Sequence, residues 1–229
     1  FDDVKNVLIE ASLGYFIISV LVALLSVGIM TLRWQYLLSY LGYEYKVFLL
    51  LKLSLMAFFF NHMLPGGIAG EVVRIMAIPN KDHRKKKSEH IFQITASVLT
   101  DRITGMLGVM ILSIFGFVFH YELLVDMNLL FIFLTLIASG ISLFFMLFSK
   151  RIQIVCFKLL NLPIKYFTLM EKVYRQITDA LFVYRKHYHV LYITTTLSVL
   201  ANVCVVLYFY LLAVSIGMDI EFLIMLALV

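Results

Sequence analysis

The 229-residue sequence contains few charged residues, few cysteines and few prolines. Only 14% of its residues are charged, whereas 62% are hydrophobic. A soluble globular chain is about half apolar and about a quarter charged, so this apolar excess does not fit inside a soluble core. With only 2 cysteines, a disulfide-rich scaffold is also excluded. The composition therefore indicates an integral membrane protein and excludes a soluble enzyme or a disordered tail.

A net charge of +5 and an aromatic content of 15% would also suit a nucleic-acid-binding protein. Most of the basic residues, however, lie in polar segments between long apolar runs. That distribution is typical of membrane topology, so we expect no nucleic-acid partner.

The apolar runs predict several membrane-spanning helices, each of which needs about 20 mainly apolar residues. Four runs meet this requirement: 7–32, 91–119, 129–148 and 190–216. A last run, 222–229, is too short to cross a membrane. Because the chain also begins at Phe1, we expect a part of a longer protein, with 222–229 as the start of another helix.

Lysine and arginine are concentrated in three segments, 33–46, 79–90 and 149–187. The segments 120–128 and 217–221 contain acidic residues but no lysine or arginine. The positive-inside rule places the three basic segments in the cytoplasm. We therefore expect a multi-pass protein of the cell inner (cytoplasmic) membrane.

The apolar segment 47–78 has both flanks on the predicted cytoplasmic side, so it must return to the side that it left. The sequence Pro65-Gly66-Gly67 is where a re-entrant hairpin would turn. The first arm, 47–64, would be about 27 Å long and the half-helix 67–78 about 18 Å. Non-helical backbone at that depth needs cover from protein or water, so we expect the turn inside the bundle.

The segment 149–187 has an amphipathic pattern. Apolar residues recur every three or four positions: Phe167, Met170, Val173, Tyr174, Ile177, Leu181 and Tyr184. This helix would either lie at the cytoplasmic membrane surface or pack against the bundle. The predicted fold class is thus all-α, a single domain formed by a polytopic transmembrane helix bundle with a re-entrant broken-helix hairpin and a cytoplasmic amphipathic helical segment.

Ionisable residues inside a membrane are costly, and each is a functional candidate. The candidates are Lys52, Glu71, Arg74, Asp101 and Arg102. In a purely structural interpretation, Arg74 pairs with Asp101 and Glu71 pairs with Arg102. Lys52 lies near the end of its helix, where it can also extend to the membrane surface.

In a functional interpretation, the same residues form the path of a lipid head group. The half-helix begins with Gly66, Gly67 and Gly70, and Asn61 lies just before the turn. The first amides of a helix are unpaired and attract anions. The five ionisable candidates include one more positive than negative charge, which suits a phosphate-bearing head group.

Ser97, Asp101, Gly105 and Gly108 form a stripe of small residues on one helix. Such a stripe lets another helix approach closely. We expect the glycine-rich half-helix to pack there.

The stretch 33–108 resembles a known family. It contains Arg33-Trp34, then the run from Asn61 through Leu64-Pro65-Gly66-Gly67 to Arg74, and then Asp101-Arg102 with Gly105. This pattern is similar to the lysylphosphatidylglycerol synthase transmembrane, or flippase-like, family, which includes the membrane half of multiple peptide resistance factors. The resemblance implies lipid translocation, with the half-helix and the Asp101-Arg102 helix at the central site.

The expected function is that of a lipid translocase or lipid-binding transporter for a phosphate-bearing head group. One alternative is the membrane portion of a lipid-modifying enzyme whose catalytic domain is absent here, and a second is a membrane scaffold. The sequence contains no soluble transferase domain or catalytic motif, which favours a protein that is not an enzyme. We expect a phospholipid or another anionic lipid as partner, no cofactor and no metal, and a homo-oligomer is compatible with this interpretation.

Overall fold

The protein is built from helices. The computed structural model describes residues 12–63, 69–80, 87–119 and 188–218, with Thr135, Tyr184, Phe222 and 225–226. In this part of the chain there is no β-strand, and five helices have defined bounds: α1 (Leu13–Tyr40), α2 (Val47–Met63), α3 (Ala69–Ala77), α4 (Lys87–Phe119) and α5 (Tyr188–Ser215). The predicted all-α fold class is confirmed.

Three of these helices, α1, α4 and α5, are long and apolar enough to cross a membrane. At about 1.5 Å per residue, the 28 residues of α1 extend over about 42 Å. Large apolar side chains such as Phe16, Leu21 and Ile111 remain exposed on α1 and α4. Apolar residues on the outside of a helix bundle are suited to contact with lipid tails.

The three described spans correspond to the predicted runs 7–32, 91–119 and 190–216, with different ends. The predicted span 129–148 and the amphipathic segment 149–187 lie outside the described residues, apart from the helical positions Thr135 and Tyr184. Of the predicted start of a further helix at 222–229, Phe222 and 225–226 are described, and they are helical.

The first helix continues past the position where the sequence predicted its end. Residues 33–40 are helical, so the prediction of a loop over 33–46 was wrong for its first part. The helix ends at a turn in which Gly42 has φ 81° and its amide donates to Ser39 O. The Tyr43 amide donates to Leu38 O, which completes a Schellman motif. The helix therefore stops where glycine permits the left-handed conformation, not where the first charge occurs.

Helix α1 runs antiparallel to both α4 and α5. Its start meets the end of α5, where the Ser12 amide donates to Ser215 O at 2.8 Å. Farther along, Arg33 contacts Ser198 of α5. On the other side, Trp34 of α1 bonds to Ser97 of α4. This arrangement is the one expected if α1 crosses the membrane in one direction and α4 and α5 cross in the other.

Helices α2 and α3 form an antiparallel hairpin. Near the break between them, the Asn61 side chain contacts Gly70, and farther from it Arg74 contacts Ser54. The two ends of the hairpin also meet, because the Tyr45 hydroxyl donates to Pro79 O at 2.8 Å. The segment therefore returns to the place where it began, as the re-entrant prediction required. The turn itself, 64–68, lies outside the described residues.

A buried aromatic cluster closes the base of the hairpin. The rings of Tyr43 and Tyr45 stack with 6.1 Å between centroids, and Tyr43 meets the His90 ring edge-on. The Tyr45 hydroxyl lies 3.2 Å from His90 Nε2. Because the hydroxyl donates its proton to Pro79 O, this contact requires a proton on His90 Nε2. The cluster ties the hairpin to the start of α4.

Candidate functional site

Three ionisable side chains meet in the interior of the bundle, and we call them the inner cluster: Arg33 of α1, Arg74 of α3 and Asp101 of α4. Arg33 Nε lies 2.7 Å from Asp101 Oδ1, and Arg74 Nη1 lies 3.2 Å from Asp101 Oδ2. Each carboxylate oxygen therefore has its own guanidinium partner. Asp101 is 3% exposed and Arg33 is 6% exposed, so these ion pairs are buried inside the bundle.

Polar and aromatic groups complete the surroundings of the inner cluster. Arg33 Nη1 donates to Ser198 Oγ at 2.5 Å, which links α1 to α5. The Arg74 guanidinium carbon lies 4.9 Å from the centroid of the Trp34 ring, a cation–π contact. The Trp34 indole in turn donates to Ser97 Oγ at 3.2 Å. Two guanidinium groups and one carboxylate leave the inner cluster with one surplus positive charge.

A second ion pair, the outer pair, joins Glu71 of α3 to Arg102 of α4. Arg102 Nε donates to Glu71 Oε1 at 2.9 Å, and a second guanidinium nitrogen contacts the same oxygen. The Arg102 side chain is 41% exposed and that of Glu71 is 17% exposed. The outer pair is therefore more accessible than the inner cluster, although Arg102 directly follows Asp101 on α4 and Glu71 is three residues from Arg74 on α3.

Two buried polar atoms near these charges have no hydrogen-bond partner among the residues that the structure describes: Glu71 Oε2 and Arg74 Nε. One is an acceptor and the other a donor, and both belong to α3. A buried polar atom without a partner costs free energy, so most are satisfied in folded proteins. Each of these two atoms could therefore form a further hydrogen bond in addition to those within the described part of the chain.

The close packing of α3 on α2 places these side chains. A Cβ at Gly70 would overlap Ala57 O and would lie 2.7 Å from Asn61 Nδ2, so only glycine permits this approach. The Gly70 amide donates to Asn61 Oδ1 at 2.7 Å. Glu71 and Arg74 follow at a spacing of three residues, which puts both on one face of α3. That face is turned toward α4, which carries the adjacent residues Asp101 and Arg102.

A family model described as Lysylphosphatidylglycerol synthase TM region matches residues 1–229. The chain belongs to this family. The family, the long apolar helices and the buried charges together make it a multi-pass, lipid-related membrane protein. Among curated proteins and solved structures, none matches the chain significantly.

The four charges that the sequence placed at the centre of this lysylphosphatidylglycerol synthase TM region do come together. Arg74 pairs with Asp101, and Glu71 pairs with Arg102, as the cross-pairing prediction required. Asn61 and Gly70 lie beside them at the start of α3. Gly66 and Gly67 lie outside the described residues.

Lys52 is not part of either group of charges. Its side chain is exposed on α2, and it forms no ion pair with the residues that the structure describes. The surplus positive charge that the sequence analysis attributed partly to Lys52 comes instead from Arg33.

Two expectations about packing were wrong in part. Within the small-residue stripe of α4, Asp101 contacts Arg74 of α3, but the two glycines do not receive α3. A Cβ at Gly108 would lie 2.8 Å from Ser198 of α5, and Gly105 faces Arg33 of α1. The amides at the start of α3 are not all unpaired either, because the Gly70 amide is bonded to Asn61. An anion at this site would therefore rely on the arginine side chains more than on the helix start.

Arg33 is the residue of the site that sequence reasoning missed. It was assigned to a cytoplasmic loop because the span 7–32 was ended at the first charged residue. The signal was present, since Trp34, Leu37, Leu38 and Leu41 continue the apolar helical pattern beyond it. An arginine inside such a pattern needs a buried acid, and Asp101 is that acid.

Proposed function

We propose that this chain moves a lipid with a phosphate-bearing head group across the membrane, between the hairpin of α2 and α3 and helix α4. The observation that supports this most directly is the buried donor Arg74 Nε, which has no partner among the described residues and belongs to a cluster with surplus positive charge. A phosphate would accept from Arg74, and its negative charge would compensate the surplus.

The position of Arg102 supports an entry to this path. Its side chain is 41% exposed while it is paired with Glu71, so an arriving phosphate can reach it without opening the bundle. A phosphate would replace one charge-assisted partner of Arg102 by another, so the exchange leaves the guanidinium paired. The head group would then pass from the outer pair toward Arg74, while the acyl tails stay in the bilayer.

The proposal includes an orientation. The lysines and arginines of 79–90 and 149–187 favour the cytoplasmic side of a cell inner membrane for these segments. The connection 41–46 and the base of the hairpin would then lie on the same side, because Tyr45 bonds to Pro79.

Transport by the chain in reconstituted lipid vesicles tests this function. A fluorescent phosphatidylglycerol placed in one leaflet would be followed as it crosses, by chemical quenching of the outer leaflet. Arg74→Ala and Arg102→Ala should each abolish the crossing. Neither removes the Arg33–Asp101 pair, so we expect both variants to insert and fold.

Lys46→Ala is the matched control, because it removes an exposed positive charge outside the site. It should move lipid at the wild-type rate. Normal transport by both arginine variants would refute the site, and the absence of transport by the wild-type chain would refute the function.

The family description favours a second candidate, the membrane portion of a lipid-modifying enzyme. In that case the same site would hold a lipid for a catalytic domain elsewhere. The chain would then bind phosphatidylglycerol through Arg74 and Arg102 but would not move it between leaflets, and the vesicle assay separates the two candidates.

A further inference from the structure

The two arginines that bind Asp101 are held differently. Arg33 lies 2.7 Å from the carboxylate and also donates to Ser198 at 2.5 Å. Arg74 lies 3.2 Å from the other oxygen, and its contact with Ser54 is 3.4 Å long. Shorter charge-assisted hydrogen bonds are the stronger ones, so Arg33 is the more tightly bound partner.

The helix that carries Arg33 is also much longer than the helix that carries Arg74. Arg33 lies within the 28 residues of α1, and Arg74 lies within the 9 residues of α3. Arg74 Nε has no hydrogen-bond partner in the described part of the chain, and its guanidinium lies over the face of the Trp34 ring. Of the two arginines, only Arg74 retains a buried donor for a new acceptor.

The charges explain why two arginines are needed. If Arg74 were the sole partner of Asp101, its departure toward a phosphate would leave a buried carboxylate without a counter-charge. Such a carboxylate is strongly unfavourable, so Arg74 would be retained by Asp101. With Arg33 present, Asp101 stays neutralised and Arg74 can leave.

We propose that Arg33 is the permanent counter-ion of Asp101 and that this positioning role lets Arg74 exchange Asp101 for the phosphate of a lipid head group. The inference rests on the proposed function, because it requires that a phosphate reaches Arg74. Arg33 itself does not touch the head group.

The fluorescence of Trp34 can be used to follow this exchange. Trp34 is the single tryptophan of the sequence, it is fully buried, and Arg74 covers its ring. Departure of the guanidinium removes a positive charge from the indole face and shifts the Trp34 fluorescence. Titrating the chain in detergent micelles with short-chain phosphatidylglycerol should therefore give a saturable change in emission, which Arg74→Gln should eliminate.

Arg33→Gln should raise the half-saturating lipid concentration about tenfold or more, within the usual range of coupling between sites. Its inner cluster has no surplus charge, and Arg74 becomes the only partner of Asp101. Arg33→Gln with Asp101→Asn should bind lipid close to the wild type, because it releases Arg74 and restores the surplus positive charge. Arg33→Lys keeps the counter-charge but not the fork of donors, and it should bind lipid more tightly than Arg33→Gln.

A purely structural role for Arg33 predicts a different pattern. The double variant also lacks the link to Ser198, so a structural role would leave it as impaired as Arg33→Gln. That result would overturn the inference, as would wild-type affinity in Arg33→Gln. If Arg33→Gln does not fold, as judged by circular dichroism, the double variant and Arg33→Lys provide the test. Weak lipid binding by both of these folded variants would also overturn the inference.

The outcomes also separate this inference from the proposed function. If the wild-type chain shows no Trp34 response and no transport, the proposed function fails. If it binds and transports lipid but Arg33→Gln does so equally well, only the role of Arg33 fails. An equal Trp34 response to inorganic phosphate would support the exchange at Arg74 and would contradict a site selective for lipid.

Discussion

The inner cluster and the outer pair use the same chemistry in two environments. Both join arginine to a carboxylate across the contact between α3 and α4, but the inner cluster adds Arg33 and is almost fully buried. The outer pair has an Arg102 side chain that is 41% exposed. Removing one partner of a buried pair costs about 3–5 kcal/mol, whereas an exposed pair contributes about 0–1 kcal/mol. We therefore expect the inner cluster to contribute more to stability than the outer pair.

Helix α3 connects the two regions. It supplies Arg74 to the inner cluster and Glu71 to the outer pair, and its position depends on the contact of Gly70 with α2. A small shift of this helix would change both pairs together, while the Arg33–Asp101 pair stays in place.

The largest expected effect is that of Asp101→Asn. It leaves two buried guanidinium groups without a counter-charge and should lower the free energy of unfolding by about 3–5 kcal/mol. Reversible unfolding of the chain in detergent micelles measures this value. A loss of unfolding free energy below about 1 kcal/mol, which is typical of an exposed pair, would contradict the difference in stability between the inner cluster and the outer pair.

Gly70→Ala should have the next largest effect, because the added methyl group overlaps Ala57 O and forces α3 away from α2. Overpacking of this kind costs about 1–3 kcal/mol. Gly28→Ala on α1 is the matched control, since a Cβ there has no neighbour within 4 Å. Equal stability of the two variants would contradict the role of Gly70 in positioning α3.

Tyr45→Phe tests whether closure of the hairpin base supports both regions. Burial raises the pKa of Tyr45 to about 12, and the neighbouring Tyr43 contributes in the same direction. The neutral phenol is therefore the form that stabilises the fold. Its contribution is complete below about pH 10, the usual pKa of tyrosine, and is lost as the pH rises to about 12.

The phenylalanine variant should lose about 1 kcal/mol at neutral pH, because the hydrogen bond to Pro79 is gone. It should also unfold with a weaker dependence on alkaline pH than the wild type. Unfolding curves recorded from neutral pH to about pH 12 provide the comparison. Parallel curves for the two proteins would show that Tyr45 does not stabilise the hairpin base through its neutral form.

The smallest effect is expected for Glu71→Gln, which removes the same charge as Asp101→Asn but from the outer pair. Its loss of stability should stay below about 1 kcal/mol, because the glutamine oxygen can still accept a hydrogen bond from Arg102, whose side chain is 41% exposed. The same unfolding measurement applies. A loss as large as that of Asp101→Asn would show that exposure does not separate the two regions.

Much of the fold could be predicted because membrane insertion imposes local rules. Spans follow from apolar runs, and the break near Pro65 followed from the loss of helix-forming residues between two apolar arms. The end of α1 could not be placed by charge, because Arg33 is buried against Asp101 and the helix continues to Gly42. A charged residue marks the end of a span only when it has no partner inside.

The sequence identified four of the charged residues of the candidate site but missed Arg33. Glu71, Arg74, Asp101 and Arg102 were identified because intramembrane charges are rare, and their cross-pairing followed from the spacing on two helices. Arg33 was missed because its partner lies 68 residues away on another helix. Lys52 is exposed on α2 and forms no ion pair with the described residues, so it adds no charge to the inner cluster or the outer pair.

The sequence by itself determined that this is a membrane protein of a lipid-related family, with a broken-helix hairpin and a few buried charges. These properties follow from composition, local apolar runs and short motifs. Only the tertiary structure decided which charges are inner and which are outer, and that Asp101 has two arginine partners held at different distances. Pairing and burial depend on how helices distant in the chain pack together, and no local pattern contains that information.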